Sequence, residues 1–312
     1  MTEIADNQYL RGMLKNHYPG INIEGTAKVS GQRVVYFCTF EDFELEFPEG
    51  RKRKAWSQWG SVVVKVSKTP STESLARLSK EINILKHLNS HSFPTLHHHE
   101  LLTFDPSNEM PLEVKLLITI EERVLSRPLS DCSGEFVDQK SVSRLLTALI
   151  TSLSVLWDHK QKYVHRDLKP DNILIRPCGS PVIIDLGIVR ESGQKGLTQT
   201  HLIAGPCTPM YASPEQLCND KLNINFKSDL FALGIIAYEL ISGRHPFFAT
   251  PPASFQEAST ILTTYTPTPL VDISNVNSEF SAIIQKLLEN QPYKRFRRYQ
   301  TVLEKLSNAG SV

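Results

Sequence analysis

The 312-residue chain is expected to be an α+β protein, a small β-rich front carrying one helix followed by a mainly helical back. Three observations carry that expectation. Around residues 34–47 apolar and polar positions alternate, with Phe43, Leu45 and Phe47 set against Glu44 and Glu46, the period of a half-buried strand. Leu75, Leu78, Ile82, Leu85 and Leu88 recur at helical spacing. From about residue 139 a three- and four-residue apolar period takes over, in 140–160, 229–242 and 278–289.

Tyr9 to Tyr18 is expected to form a short helix packed on the front part. Strands follow over 34–40 and 43–47, with Pro48-Glu49-Gly50 as their turn, and the β-branched run 61–66 adds another. Ser71-Thr72-Glu73 can cap the helix that contains Leu75, and the segment 90–94 ends it. Strands around Leu101 and over 114–120 complete a small antiparallel sheet. The boundary is placed between 1–122 and 123–312, with an inserted hairpin at about 41–59. The basic run 51–54 lies across that hairpin from Glu41, Asp42, Glu44 and Glu46, which reads as cross-strand ion pairing on an exposed hairpin rather than as a docking patch.

Lys+Arg 34 against Asp+Glu 33 leaves a formal charge of +1, so no global field draws the chain to nucleic acid or to an anionic membrane. Cys38, Cys132, Cys178, Cys207 and Cys218 are scattered with no C-x-x-C pair, which suits a reducing compartment, and a cytoplasmic location is expected. The N-terminus lacks the basic and apolar segments of a signal peptide. The most apolar stretch, 230–241, includes Glu239 and is too short for a bilayer. Consecutive strand residues face opposite ways, so His97, His98 and His99 read as strand histidines rather than as ligands to one ion.

The run from Tyr163 through His165, Arg166, Asp167, Leu168, Lys169 and Pro170 to Asn172 fills every fixed position of the pattern H-R-D-L-x-x-x-N. Ile183-Ile184-Asp185-Leu186-Gly187 follows as D-F-G with Leu for Phe. Together they resemble the catalytic segments of the eukaryotic-type serine/threonine protein kinases. Val62-Val63-Val64-Lys65 is similar to the family's V-A-I-K strand, and Thr208 to Glu215 to the end of its activation segment, with Ser213-Pro214-Glu215 in place of Ala-Pro-Glu. The likeness runs from about residue 21 to 306.

The resemblance implies a two-lobed kinase fold with ATP in the cleft between the lobes, Mg2+ or Mn2+ as its metal, and protein substrates phosphorylated on Ser or Thr, with autophosphorylation. By the family's roles Asp167 accepts the substrate proton, Lys169 balances charge on the transferred phosphate, and Asn172 and Asp185 bind metal. Lys65 contacts the nucleotide phosphates and pairs with Glu81, which shares the inward face of its helix with Leu78 and Leu85. Gly31 and Val35 lie at the nucleotide, whose adenine meets backbone around Glu121 and Glu122. Arg166 meets a phosphate on Thr198 or Thr200, Thr208 orients Asp167, Glu215 pairs with Arg295, and Asp229 and Gly234 belong to the helix that braces the catalytic loop.

The glycine-rich loop departs from the pattern. Counted back from Val35, its three glycine positions fall on Lys28, Ser30 and Arg33, whereas bare backbone is what allows close approach to phosphate. This leaves two alternatives beside the kinase: a pseudokinase used as a scaffold or nucleotide sensor, and a small-molecule kinase, against which Lys169-Pro170 and Ser213-Pro214-Glu215 speak. Oligomeric state is not readable.

Overall fold

The computed structural model describes residues 5–30, 32–47, 50–88, 90–186, 190–191 and 208–309. The chain divides into two compact units, Met1–Val124 and Leu125–Val312. Gly31, Ser192, Thr198, Thr200 and Cys207 lie outside the described residues.

The first unit opens with α1 (Gln8–His17), capped by the Asn7 side chain, which accepts the Leu10 N–H at 2.8 Å. Then come β1 (Ile21–Ser30), β2 (Arg33–Phe40), β3 (Phe43–Phe47), β4 (Gly50–Lys54), a short 3-10 turn (Trp56–Trp59), β5 (Val62–Lys68), α2 (Thr72–His87), β6 (Leu96–Phe104) and β7 (Pro111–Glu122). Five of these strands form one antiparallel sheet in the order β1-β2-β5-β7-β6. Alternation decides its faces. Val34, Tyr36, Cys38 and Phe40 on β2, Val62, Val64 and Val66 on β5, and Ile118 and Ile120 on β7 are buried in one cluster with Leu10, Met13 and Leu14 of α1. The intervening positions, among them Lys65 and Glu121, belong to the other face, toward which α2 contributes Glu81.

β1 was not foreseen as a strand. It is a sheet edge, and after Ile21 none of its residues is buried, so there is no apolar alternation to read. In the inserted hairpin β3 pairs with β4, setting position 44 across from 53 and 46 across from 51. The turn that follows anchors the insertion: Trp56 and Trp59 stack at 4.9 Å and both meet Phe40 edge-on, at 5.5 and 5.8 Å. His97 stacks on Trp59 at 5.4 Å, and burial lowers its pKa.

The second unit continues with β8 (Arg127–Pro128), α3 (Leu129–Cys132), α4 (Gln139–Trp157), β9 (Tyr163–Val164), β10 (Ile173–Ile175), β11 (Pro181–Ile183), β12 (Arg190–Glu191), α5 (Pro214–Leu217), α6 (Phe226–Ser242), α7 (Phe255–Thr264), α8 (Ser278–Leu287) and α9 (Tyr299–Ala309). Every residue of α6 from Ser228 to Tyr238 is buried, the mark of a helix enclosed by its neighbours rather than amphipathic. Among the described residues no helix is long and apolar enough to cross a membrane.

Two features of this unit give measurable consequences. A Cβ at Gly234 of α6 would sit 2.9 Å from the Leu287 Cβ and 3.1 Å from Leu288 Cδ2. Gly234→Ala is therefore expected to cost about 1–3 kcal/mol by overpacking, read as a lower denaturant midpoint; an unchanged midpoint would show that α8 yields freely.

His245 donates from Nε2 to the Met210 carbonyl at 2.8 Å, while its Nδ1 accepts the N–H groups of Phe247 and Phe248, both at 3.0 Å. That pattern requires the neutral ring, and burial lowers its pKa from 6.5 to about 4. An unfolded chain takes up the proton first, so this residue's contribution is complete above pH 6.5 and is lost as pH falls toward 4. Across that window the slope is about 1.4 kcal/mol per pH unit. Stability of the wild type should fall between pH 6.5 and pH 5 more steeply than that of His245→Gln, and parallel curves would remove the assignment.

Candidate active site

Two backbone devices bring the motif residues of the second unit together. The first is the carboxylate of Asp229, in the first turn of α6, which accepts the N–H groups of His165 and Arg166 at 2.9 Å each and the Trp157 indole N–H at 2.8 Å. The second is the hairpin of β10 and β11, which pairs Ile173 with Ile183. At its open end Ile184 N–H donates to the Asn172 carbonyl at 3.0 Å, and His165 Nε2 meets the Ile184 carbonyl at 3.2 Å. These two contacts set Asp185 beside the catalytic-loop motif.

Around Asp167 the bonding is closed. Oδ1 accepts the Thr208 hydroxyl at 2.6 Å and the Thr208 N–H at 3.2 Å. Oδ2 accepts the Asn172 amide at 3.1 Å and lies 3.2 Å from Lys169 Nζ, which itself donates to Thr208 Oγ1 at 2.9 Å. Asn172 also donates to the Asp167 carbonyl at 2.8 Å, which turns its side-chain oxygen away from Asp167. Arg166 and Asp185 both hold positive φ, 74° and 65°, a conformation that is costly for residues with a Cβ and gathers at functional sites.

The segment from Thr208 to Glu215 is tied down separately. Arg295 donates to both oxygens of Glu215, at 2.7 and 3.0 Å, with both side chains buried. Gln216 Nε2 reaches the Arg166 carbonyl at 2.7 Å, so the segment after Thr208 is bonded directly to the loop that carries Asp167. Gln216 and His245 escaped sequence reasoning, because neither belongs to a fixed motif position; the capping-box spacing from Ser213 to Gln216 was the one available signal.

In the first unit Lys65 and Glu81 share a neighbourhood but are not each other's nearest partner. Lys65 Nζ lies 2.7 Å from Glu121 Oε2 and 3.9 Å from Glu81 Oε1. Glu81 Oε2 instead accepts from the Arg33 guanidinium at 2.9 Å, while Arg33 Nε donates to Ser67 Oγ at 2.9 Å. Thr119 Oγ1 donates to Glu121 Oε1 at 3.0 Å. The expected Lys65–Glu81 pair is thus long, because Glu121 competes for the ammonium. Glu121, expected to serve through its backbone, also carries a buried, paired side chain; Glu122 accepts from Thr95 N–H and Oγ1 at 3.2 and 3.1 Å. Val35 is on β2, opposite Lys65. The roles assigned to Gly31, Thr198 and Thr200 fall outside the described residues.

Residues 51–306 match the family described as the protein kinase domain, a span that begins after the degenerate loop. A probable serine/threonine-protein kinase of Streptomyces coelicolor is 32% identical over 155 residues, 49% of this chain and 22% of that protein. Serine/threonine-protein kinase 36 of Mus musculus is 29% identical over 250 residues, 79% of this chain and 17% of that protein. PknB of Mycobacterium tuberculosis, a serine/threonine-protein kinase, is 31% identical over 150 residues, 47% of this chain and 22% of that protein. The chain therefore spans about a fifth of the length of these relatives. With an antiparallel sheet in its first unit, helices in its second and the family match over most of its length, the chain belongs to the protein kinase family and has its two-lobed fold.

Proposed function

We propose that the chain transfers the γ-phosphoryl group of ATP to Ser or Thr hydroxyls of protein substrates. The observation that carries this reading is the closed set of bonds joining Asp167 to Lys169, Asn172 and Thr208. Four donors on one carboxylate fix its direction. That suits phosphoryl transfer, whose loose transition state asks for positioning and charge neutralisation more than for strong proton abstraction. Asp167 orients the acceptor hydroxyl and takes its proton, and Lys169 balances negative charge at the transferred group. The nearness of Lys169 to Thr208 links that balance to the segment against which a peptide substrate would lie.

Magnesium fits the donor set available. Asn172 offers an amide oxygen and Asp185, next in the chain to the Ile184 that bonds Asn172, a carboxylate, which are hard donors suited to this ion. Asn172 and Asp185 would hold the ion, which would screen the phosphate charge.

One observation favours a second reading, a nucleotide-sensing pseudokinase: Lys65 is nearer to Glu121 than to Glu81. Labelled ATP with magnesium and a generic basic protein separates the two. Transfer by the wild type, reduced by several orders of magnitude in Asp185→Asn and in Lys65→Ala, is expected. ATP binding without transfer would establish the pseudokinase instead. Peptide mapping of active protein should find phosphate on Thr198 or Thr200, and both unmodified would remove that regulatory role from Arg166.

A further inference from the structure

Strand register brings an unforeseen cation to the lysine of the first unit. Arg33 pairs with Ser67 and Val35 with Lys65 on one side of β5; Thr119 pairs with Lys65 and Glu121 with Val63 on the other. Arg33, Lys65 and Glu121 therefore lie on one sheet face, with Lys65 between the other two on a diagonal. Glu81 connects the two cations, one carboxylate oxygen 2.9 Å from Arg33 and the other 3.9 Å from Lys65.

All four side chains are largely buried, with exposures of 20% for Arg33, 13% for Lys65, 6% for Glu81 and 4% for Glu121. Two positive and two negative charges make the group neutral. A lysine and a glutamate alone would also be neutral, so Glu121 adds a negative charge beside the ammonium assigned to nucleotide phosphate. Left uncompensated, that carboxylate would repel the phosphates in a poorly screened place. Arg33 supplies the matching charge, and does so from the third glycine position of the phosphate loop. There it exchanges a bare backbone approach for a planar guanidinium that matches phosphate oxygens.

The group also has room to rearrange. Among the described residues no donor lies within hydrogen-bonding distance of Glu81 Oε1, although Glu81 is 5% exposed. Lys65 can move from Glu121 toward that oxygen while Glu81 keeps Arg33 and Glu121 keeps Thr119.

We propose that Arg33 is a second phosphate-binding residue for a nucleoside di- or triphosphate, offsetting the charge of Glu121 and sharing Glu81 with Lys65. The proposal rests on the protein kinase reading above and adds a residue to its nucleotide site.

The test is calorimetric titration of Mg·ATP, Mg·ADP and adenosine into the wild type, Arg33→Ala, Arg33→Lys, Glu121→Gln and the Arg33→Ala/Glu121→Gln double variant, with thermal melts to establish folding. Arg33→Ala should weaken both Mg-nucleotides by about tenfold and leave adenosine unchanged. Arg33→Lys should recover part of the loss, and Glu121→Gln should restore part of it in the Arg33→Ala background, which a merely structural arginine would not allow. Mg·ATP affinity within twofold of the wild type in Arg33→Ala, or an equal loss for adenosine, overturns the proposal. If Arg33→Ala does not fold, the Arg33→Lys titration and the effect of Glu121→Gln alone decide: nucleotide affinity unchanged in both overturns it. A wild type that binds no Mg·ATP overturns the proposal together with the kinase reading, whereas binding without phosphoryl transfer overturns the kinase reading alone.

Discussion

The carboxylate of Asp229 accepts two consecutive backbone N–H groups, from His165 and Arg166, together with the indole N–H of Trp157, and the candidate catalytic loop is suspended from the first two of these bonds. Each side needs the other. Burial pushes the Asp229 carboxyl up, against the N–H donors that favour its ionised form. The loop N–H groups, for their part, are removed from water and would be costly without an acceptor. The resulting grip fixes the peptide at Arg166, whose φ of 74° a residue with a side chain adopts only where its surroundings dictate it. Gln216 closes the other side through the Arg166 carbonyl.

From that anchor the geometry propagates through packing. Asp229 is held in place because α6 is enclosed along its buried length, and Trp157 reaches it from the last turn of α4. The absence of a side chain at Gly234 lets Leu287 and Leu288 close on α6. Helix packing thus sets the height of the loop, the loop sets Asp167 and Asn172, and the β10–β11 hairpin brings Ile184, the residue before Asp185, to the Asn172 carbonyl.

How much of this could be read in the sequence depended on whether the information lay along the chain or across it. The motifs around Asp167, Asn172 and Asp185 were legible because they are linear, β2, β3, α2, α4 and α8 because their apolar periods are strong, and β5 and α6 because they are continuous apolar runs. The edge strand β1 buries only its first residue and leaves no pattern. Trp56 and Trp59, which pin the insertion, sit in a turn too short to show a period. Period two places Lys65 and Glu121 each on a face of its own strand, but only the register makes those faces the same and the residues neighbours. Arg33 was read as a lost glycine; that it brings a partner for Glu81 depends on contacts between β2 and α2, distant in sequence.

The two buried ion-pair systems differ in a way that accords with different duties. Arg295 spends all five of its N–H donors, on both oxygens of Glu215 and on the carbonyls of Lys227, Glu289 and Asn290, and its guanidinium also lies 4.6 Å from the Phe231 ring centre. Ser228 adds a further bond to Glu215. Such a pair has one arrangement, and any displacement strands buried charge, so it serves as fixed support. On the sheet face of the first unit the distances are uneven, 2.7 Å on one side of Lys65 and 3.9 Å on the other, with one oxygen of Glu81 lacking a donor among the described residues. A second arrangement of the same four groups, with Lys65 moved toward Glu81, is therefore close in geometry, and Thr119 can stay bonded to Glu121 in both. Saturated bonding holds the scaffold still, and the incompletely bonded group is the one whose charges a ligand can reorder.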